Sequence, residues 1–139
     1  MKIVSACLAG VNCAYDGKHR SNKGVVDLVK KGAAIPVCPE QLGGLPTPRI
    51  PSERLNGKVI NKNGEDVTEN FRKGAQEALK IAKMIDCDCA ILKSRSPSCG
   101  YGKIYDGTFS HKLIQGNGVF SELLLQAGIE VISDEDIDL

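Results

Sequence analysis

The stretch Lys2-Ile3-Val4-Ser5-Ala6-Cys7 sets a short apolar run directly against a cysteine. Ile3 to Ala6 reads as a buried strand, too short to be a helix and followed at once by turn formers. The pattern recurs twice. Ala33 to Val37 is a second strand ending at Cys38, and Ala90 to Leu92 is a third that runs into Lys93-Ser94-Arg95-Ser96-Pro97-Ser98-Cys99-Gly100. Between these runs the apolar spacing changes to that of helices. Val25, Val26, Leu28 and Val29 form one, closed by Gly32, and Val67, Phe71, Ala75, Ala78, Leu79, Ala82 and Ile85 form the longest. Val119, Phe120, Leu123, Leu124 and Ala127 form a third, capped by Asn117 and stopped by Gly128, before a fourth strand at Ile129 to Ile132. Strands separated by helices imply an α/β three-layer sandwich, with a mostly parallel sheet of about four strands and flanking helices. In such sheets ligands bind outside the carboxyl ends of the strands, near a switch in strand order. Cys7, Cys38 and Cys99 are all delivered to that edge.

The connections carry further expectations. Pro39 to about Asn56, with Gly43, Gly44, Pro46, Pro48 and Pro51, reads as a long, rigid, irregular loop of the functional kind. Lys58 to Val67 reads as a hairpin around Asn63-Gly64, Tyr105 to Phe109 as another, and Asp66 with Glu69 as a capping box. The acidic tail to Leu139 reads as a solvated end. His19, His111 and Lys93 read as exposed loop residues.

Length and composition bound the function. The 139 residues suit one domain, 1–139, and 42% hydrophobic with 25% charged residues is ordinary globular chemistry. A net charge of +1 gives no field for DNA or an anionic membrane. Aromatic residues are 4% and Trp is absent, so a platform for several bases is not expected, although contact with one nucleobase is compatible. No secretory signal and no apolar stretch of membrane-spanning length is visible. Six cysteines without an export signal point to a reducing, cytoplasmic setting, where thiols serve as metal ligands or catalysts.

Thiolates converging at a sheet edge suit soft metals and iron-sulfur clusters. Three protein ligands to a four-iron cube leave one iron open, as catalytic metal sites do. Zinc is the rival, but the paired Cys-x-x-Cys and His-x-x-x-His elements of small zinc sites are missing. Cys13 is a fourth nearby thiol that closes the cluster, acts as a nucleophile, or packs. Cys87 and Cys89, at the entrance to the third strand, read as buried small hydrophobes. Glu40 serves as acid or base beside a desolvated metal site, or pairs with Arg49 at the surface. Ser96 and Ser98 position water or substrate, or form the turn around Pro97.

Three segments together carry a resemblance. They are Ser5-Ala6-Cys7-Leu8-Ala9-Gly10-Val11-Asn12-Cys13-Ala14-Tyr15-Asp16-Gly17, Pro36-Val37-Cys38-Pro39-Glu40-Gln41-Leu42-Gly43-Gly44-Leu45-Pro46-Thr47-Pro48-Arg49, and Leu92 through Gly100. In this order they resemble the thiouracil desulfidase family over nearly the whole chain. The resemblance implies a 4Fe-4S cluster on Cys7, Cys38 and Cys99 with one iron not bound by protein, and Glu40 and Ser96 as catalytic residues. It implies a small thiolated nucleobase or nucleotide, converted to the oxo form with release of sulfide and no net redox change. The chain ends soon after the fourth strand, without the extra domain of relatives that act on thiolated tRNA, which disfavours tRNA as a partner. Two other classes stay in view: a structural zinc or closed iron-sulfur protein, and a persulfide-type sulfurtransferase.

Overall fold

Lys2–Ser5 forms the central strand β1, with Ile3 and Val4 fully buried on opposite faces. Such two-sided burial is what a parallel strand covered by helices requires. The computed structural model describes residues 1–137. Helix α1 (Lys23–Lys30) leads to β2 (Ala34–Val37), and the short helix α2 (Pro39–Leu42) follows. Strands β3 (Ser52–Leu55) and β4 (Lys58–Asn61) precede the long helix α3 (Thr68–Met84) and β5 (Cys89–Leu92). The chain continues through β6 (Lys103–Tyr105), β7 (Leu113–Gln115), α4 (Val119–Gln126) and β8 (Glu130–Ser133).

The main sheet has the order β2-β1-β5-β8 and is parallel throughout, with Ile3 set between Ile35 and Ala90. Ile3, Val37, Leu92, Phe120 and Leu124 form the core beneath α3 and α4 on one face. Val4, Leu8, Val25, Ala34 and Ile91 form the other, beneath α1. The expected three layers are therefore present. From β1 the chain moves outward to β2, and from β5 it moves the other way to β8. The order switches between β1 and β5, which opens a crevice at their carboxyl ends.

Helix α3 buries Phe71, Ala75, Ala78 and Ala82 completely, as the spacing predicts. Its small stripe lets α2 lie almost against it. A Cβ on Gly74 would stand 1.7 Å from the Pro39 carbonyl oxygen, so only glycine admits this approach.

Several connections differ from the sequence reading. The stretch after Pro39 is not wholly irregular: it holds α2 and β3. The true hairpin joins β3 to β4 through Asn56-Gly57, and the Asn63-Gly64 turn only returns the chain to a single bridge between Ile60 and Asp66. The β3 run, Ser52-Glu53-Arg54-Leu55, is polar apart from Leu55 and follows a Pro-rich stretch, so it carries no alternation to mark it as a strand. Asp66 and Glu69 do not form a capping box. Asp66 accepts from the Thr68 N–H at 2.9 Å, and Glu69 pairs with Arg72 instead. Asn117 does not cap α4 either; its side chain accepts from the Gly102 N–H at 2.8 Å, and Gly118 holds the cap position. The acidic tail is not simply solvated. Asp134 accepts from the Ser94 N–H and pairs with Lys93, so it buttresses the loop after β5. Residues 138–139 of that tail lie outside the described residues.

Candidate functional site

Beyond β1 the chain tightens into a 3-10 turn at Ala6–Ala9, ended by Gly10 at φ 98°. Cys7 is fixed in this turn, and its carbonyl accepts from the Arg20 N–H at 2.8 Å. Cys38 follows β2 at the start of α2, and Cys99 follows β5 in the turn built on Ser96. Cys13 is 2% exposed, and its carbonyl accepts from Arg49 Nη2 at 2.7 Å. All four thiols line one cavity of about 630 Å³, and Glu40 and Ser96 line it too. Cys87 and Cys89 lie at the far end of β5, buried as the sequence reading has them, with the Cys87 thiol donating to the Cys89 carbonyl.

The thiols are chemically unequal. The neighbouring Cys38 and Cys7 sulfurs, together with burial, push the pKa of Cys13 up steeply, so it holds its proton. The same Cys13 thiol is the main influence that draws Cys38 down to about 7 despite burial. The Gln41 N–H and the Arg49 charge add to that effect. Cys7 is lowered chiefly by Cys13 as well, with help from Lys93 and Arg20. Cys99 is pushed up by burial, opposed by a hydrogen bond from Ser5. The Cys38 thiol donates to the Cys13 carbonyl at 3.8 Å.

Glu40 lines the cavity and pairs there with Arg49, and the pair is largely buried rather than at the surface. Arg49 Nε donates to Glu40 Oε1 at 2.9 Å, and its Nη1 donates to Thr47 Oγ1 and the Pro46 carbonyl. Ser96 likewise shapes the turn, its Oγ accepting from the Ser98 and Cys99 N–H groups. Its hydroxyl hydrogen is what it has left to offer a ligand. Ser98 is 1% exposed, does not line the cavity, and its Oγ has no hydrogen-bond partner. Lys93 and His111 line the cavity, and Lys93 is half-buried rather than exposed; Asp134 lines it too. Sequence reasoning missed Ser5, whose Oγ accepts from the Lys93 N–H at 2.9 Å while its hydroxyl serves Cys99. A polar residue closing an apolar strand was its signal.

Among the described residues no group of three or more His, Cys, Asp or Glu is arranged to hold a metal ion. A zinc ion needs its donors gathered about 2.3 Å from one centre. A four-iron cube takes each thiolate on a different iron, and so asks for soft donors around a larger hollow. Thiols spread around a cavity of about 630 Å³ fit the second demand by donor chemistry and by room.

The family model for 2-thiouracil desulfurase matches residues 3–136. This chain belongs to the 2-thiouracil desulfurase family. It is therefore an enzyme of the thiouracil desulfidase kind, as the resemblance implied. The structure is similar to that of the [4Fe-4S]-dependent thiouracil desulfidase TudS, with a TM-score of 0.93 and 42% identity over 97% of this chain and 91% of that one. A relative from Bacillus subtilis strain 168, the uncharacterized protein YbbK, is 45% identical over 148 residues, covering 99% of this chain and 98% of the relative. No helix among the described residues is long and apolar enough to cross a membrane.

Proposed function

We propose that residues 1–139 act as one desulfidase domain that replaces the sulfur of a thiocarbonyl pyrimidine, as free base or nucleotide, with oxygen from water, releasing sulfide. Atoms balance without a redox partner: the C=S bond breaks, a C=O bond forms, and both hydrogens of water leave with the sulfur. The observation that carries this reading is the meeting of three strand-end cysteines, Cys7, Cys38 and Cys99, with Glu40 and Ser96 in one cavity.

The three cysteines would hold a 4Fe-4S cluster and leave one iron without a protein ligand. Bound there, the cluster supplies a thiophilic Lewis acid that polarises a C=S bond. The remaining work falls to the protein. Glu40 accepts a proton from the attacking water and returns it to the ring nitrogen or the departing sulfur. Arg49 holds that carboxylate in place, and Ser96 offers its hydroxyl hydrogen to orient the water. The cavity volume suits a base or nucleotide rather than a folded RNA. An oxygen-sensitive cofactor with free thiols accords with a cytoplasmic setting.

The test is anaerobic purification with iron and sulfide reconstitution, followed by incubation with 2-thiouracil. Brown protein that forms uracil and sulfide in equal amounts is expected. Iron-loaded protein that leaves 2-thiouracil intact overturns the reading. Activity in colourless, metal-free protein would move it to the persulfide class.

A further inference from the structure

The cavity has a second wall that the thiol chemistry does not use. It is built by the β3–β4 and β6–β7 hairpins and carries Tyr105, Phe109 and His111. The chain has only six Tyr, Phe and Trp residues. Two of them, Phe71 and Phe120, are fully buried in the core, whereas Tyr15, Tyr105 and Phe109 line this one cavity. Aromatic side chains are thus concentrated where a ring would bind.

The backbone at this wall is also unusual. Five non-glycine residues among those described adopt left-handed φ: Asn56, Asp86, Arg95, Phe109 and His111. Asn and Asp tolerate that region, but a bulky Phe at φ 57° is an outlier that the surroundings must enforce. The enforcing group is Glu53 on β3. Its Oε1 accepts from the Gly107 N–H at 3.0 Å and from the Phe109 N–H at 3.1 Å. Gly107 lies so close to β3 that a Cβ there would stand 2.7 Å from the Arg54 carbonyl oxygen. Tyr105 and His111 meet edge to face, with centroids 6.1 Å apart. Strained residues that are held by several contacts mark functional positions more often than accidents.

We infer that Phe109 is the stacking residue for the pyrimidine ring, held in its left-handed conformation by Glu53, and that it sets the preference for a flat heteroaromatic thiocarbonyl over an open-chain one. The inference rests on the desulfidase reading and deepens it by naming the residue that recognises the ring. Phe109 contacts substrate; Glu53 is a positioning residue that acts through it. Stacking binds substrate and product alike, so it acts on affinity rather than on the chemical step.

The experiment uses reconstituted native protein and the variants Phe109→Ala, Phe109→Tyr and Glu53→Ala. It measures KM and kcat with 2-thiouracil, and separately the equilibrium Kd for uracil, which has no sulfur to be captured by iron. Phe109→Ala should raise both KM and Kd about ten-fold, with a much smaller change in kcat, and Phe109→Tyr should restore both. Glu53→Ala should raise KM in the same direction and add little when combined with Phe109→Ala, because both remove one platform. An active native enzyme whose KM and Kd are unmoved by Phe109→Ala overturns the inference and leaves the desulfidase reading standing. A native holoprotein that neither binds uracil nor converts 2-thiouracil overturns both.

Discussion

Arg49 Nε and Glu40 Oε1 stand 2.9 Å apart, and the two side chains are only 6% and 16% exposed. The pair lies on the cavity wall rather than at the open surface, and the same guanidinium reaches the Cys13 carbonyl. One side chain therefore ties the acid/base candidate to the loop that carries the fourth thiol. Glu40→Gln keeps an acceptor for Arg49 and removes the proton-transfer group. Activity with 2-thiouracil should fall about 100-fold, while iron content and the thermal midpoint stay near native. Full activity in that variant would leave Glu40 with a purely structural role.

Arg49→Met tests the tie itself. It removes the donors to Glu40, Cys13, Thr47 and Pro46 and leaves a carboxylate buried without its partner. Breaking a buried pair from one side costs about 3 kcal/mol, readable as a lower urea midpoint at unchanged slope. Iron uptake should also weaken, because the Cys13 loop loses its anchor. A variant as stable as native would show that the pair is worth no more than a surface ion pair.

Helix α2 carries Glu40 directly after Cys38, and α2 is placed by its contact with α3. Gly74→Ala would force the Pro39 carbonyl away from 1.7 Å, and no flexible side chain is there to yield. Overpacking of this kind costs about 3 kcal/mol. The expected outcome is a destabilised protein whose remaining folded fraction binds iron less well, measured by unfolding and iron analysis together. Gly74 lies within α3 and has no positive φ, so the loss comes from the steric clash and not from backbone strain.

Much of this was legible in the sequence because periodicity reports burial. Ile3 and Val4, Ala90 and Ile91, and Phe71, Ala75, Ala78 and Ala82 are all buried where their spacing puts them. Parallel pairing then followed from the alternation of strands and helices, and with it the delivery of Cys7, Cys38 and Cys99 to one sheet edge; the strand order itself came from the structure. What was hidden depends on partners distant in sequence. Nothing near Asp134 signals that it faces Ser94, and nothing near Glu53 signals that it grips the loop at Phe109. Polar side chains satisfied by remote backbone groups leave no period to read. Asp66 and Asn117 show the same limit from the other side. Each sits where a cap is expected, yet Asp66 bonds one residue short of the box and Asn117 serves Gly102.

Serine variants separate the two thiols of the first loop. Cys7 lies in the turn directly after β1, so the sheet fixes its direction, whereas Cys13 is placed by the loop beyond Gly10 and by Arg49. Cys13 holds its proton, its pKa pushed up by Cys38, Cys7 and burial, whereas Cys7 and Cys38 are both drawn down toward the thiolate. A thiolate that binds iron cannot be replaced by serine without loss of cluster, because a hydroxyl is a harder and far less acidic ligand. A thiol that keeps its proton can be, because serine keeps its own. Cys7→Ser should therefore give colourless, inactive protein after reconstitution. Cys13→Ser should remain brown, with iron near the native content and at most partial loss of activity. Iron analysis of the two variants side by side decides the matter. Full iron in Cys7→Ser beside iron-free Cys13→Ser would exchange their roles, and full iron in both would remove the cluster from this loop altogether.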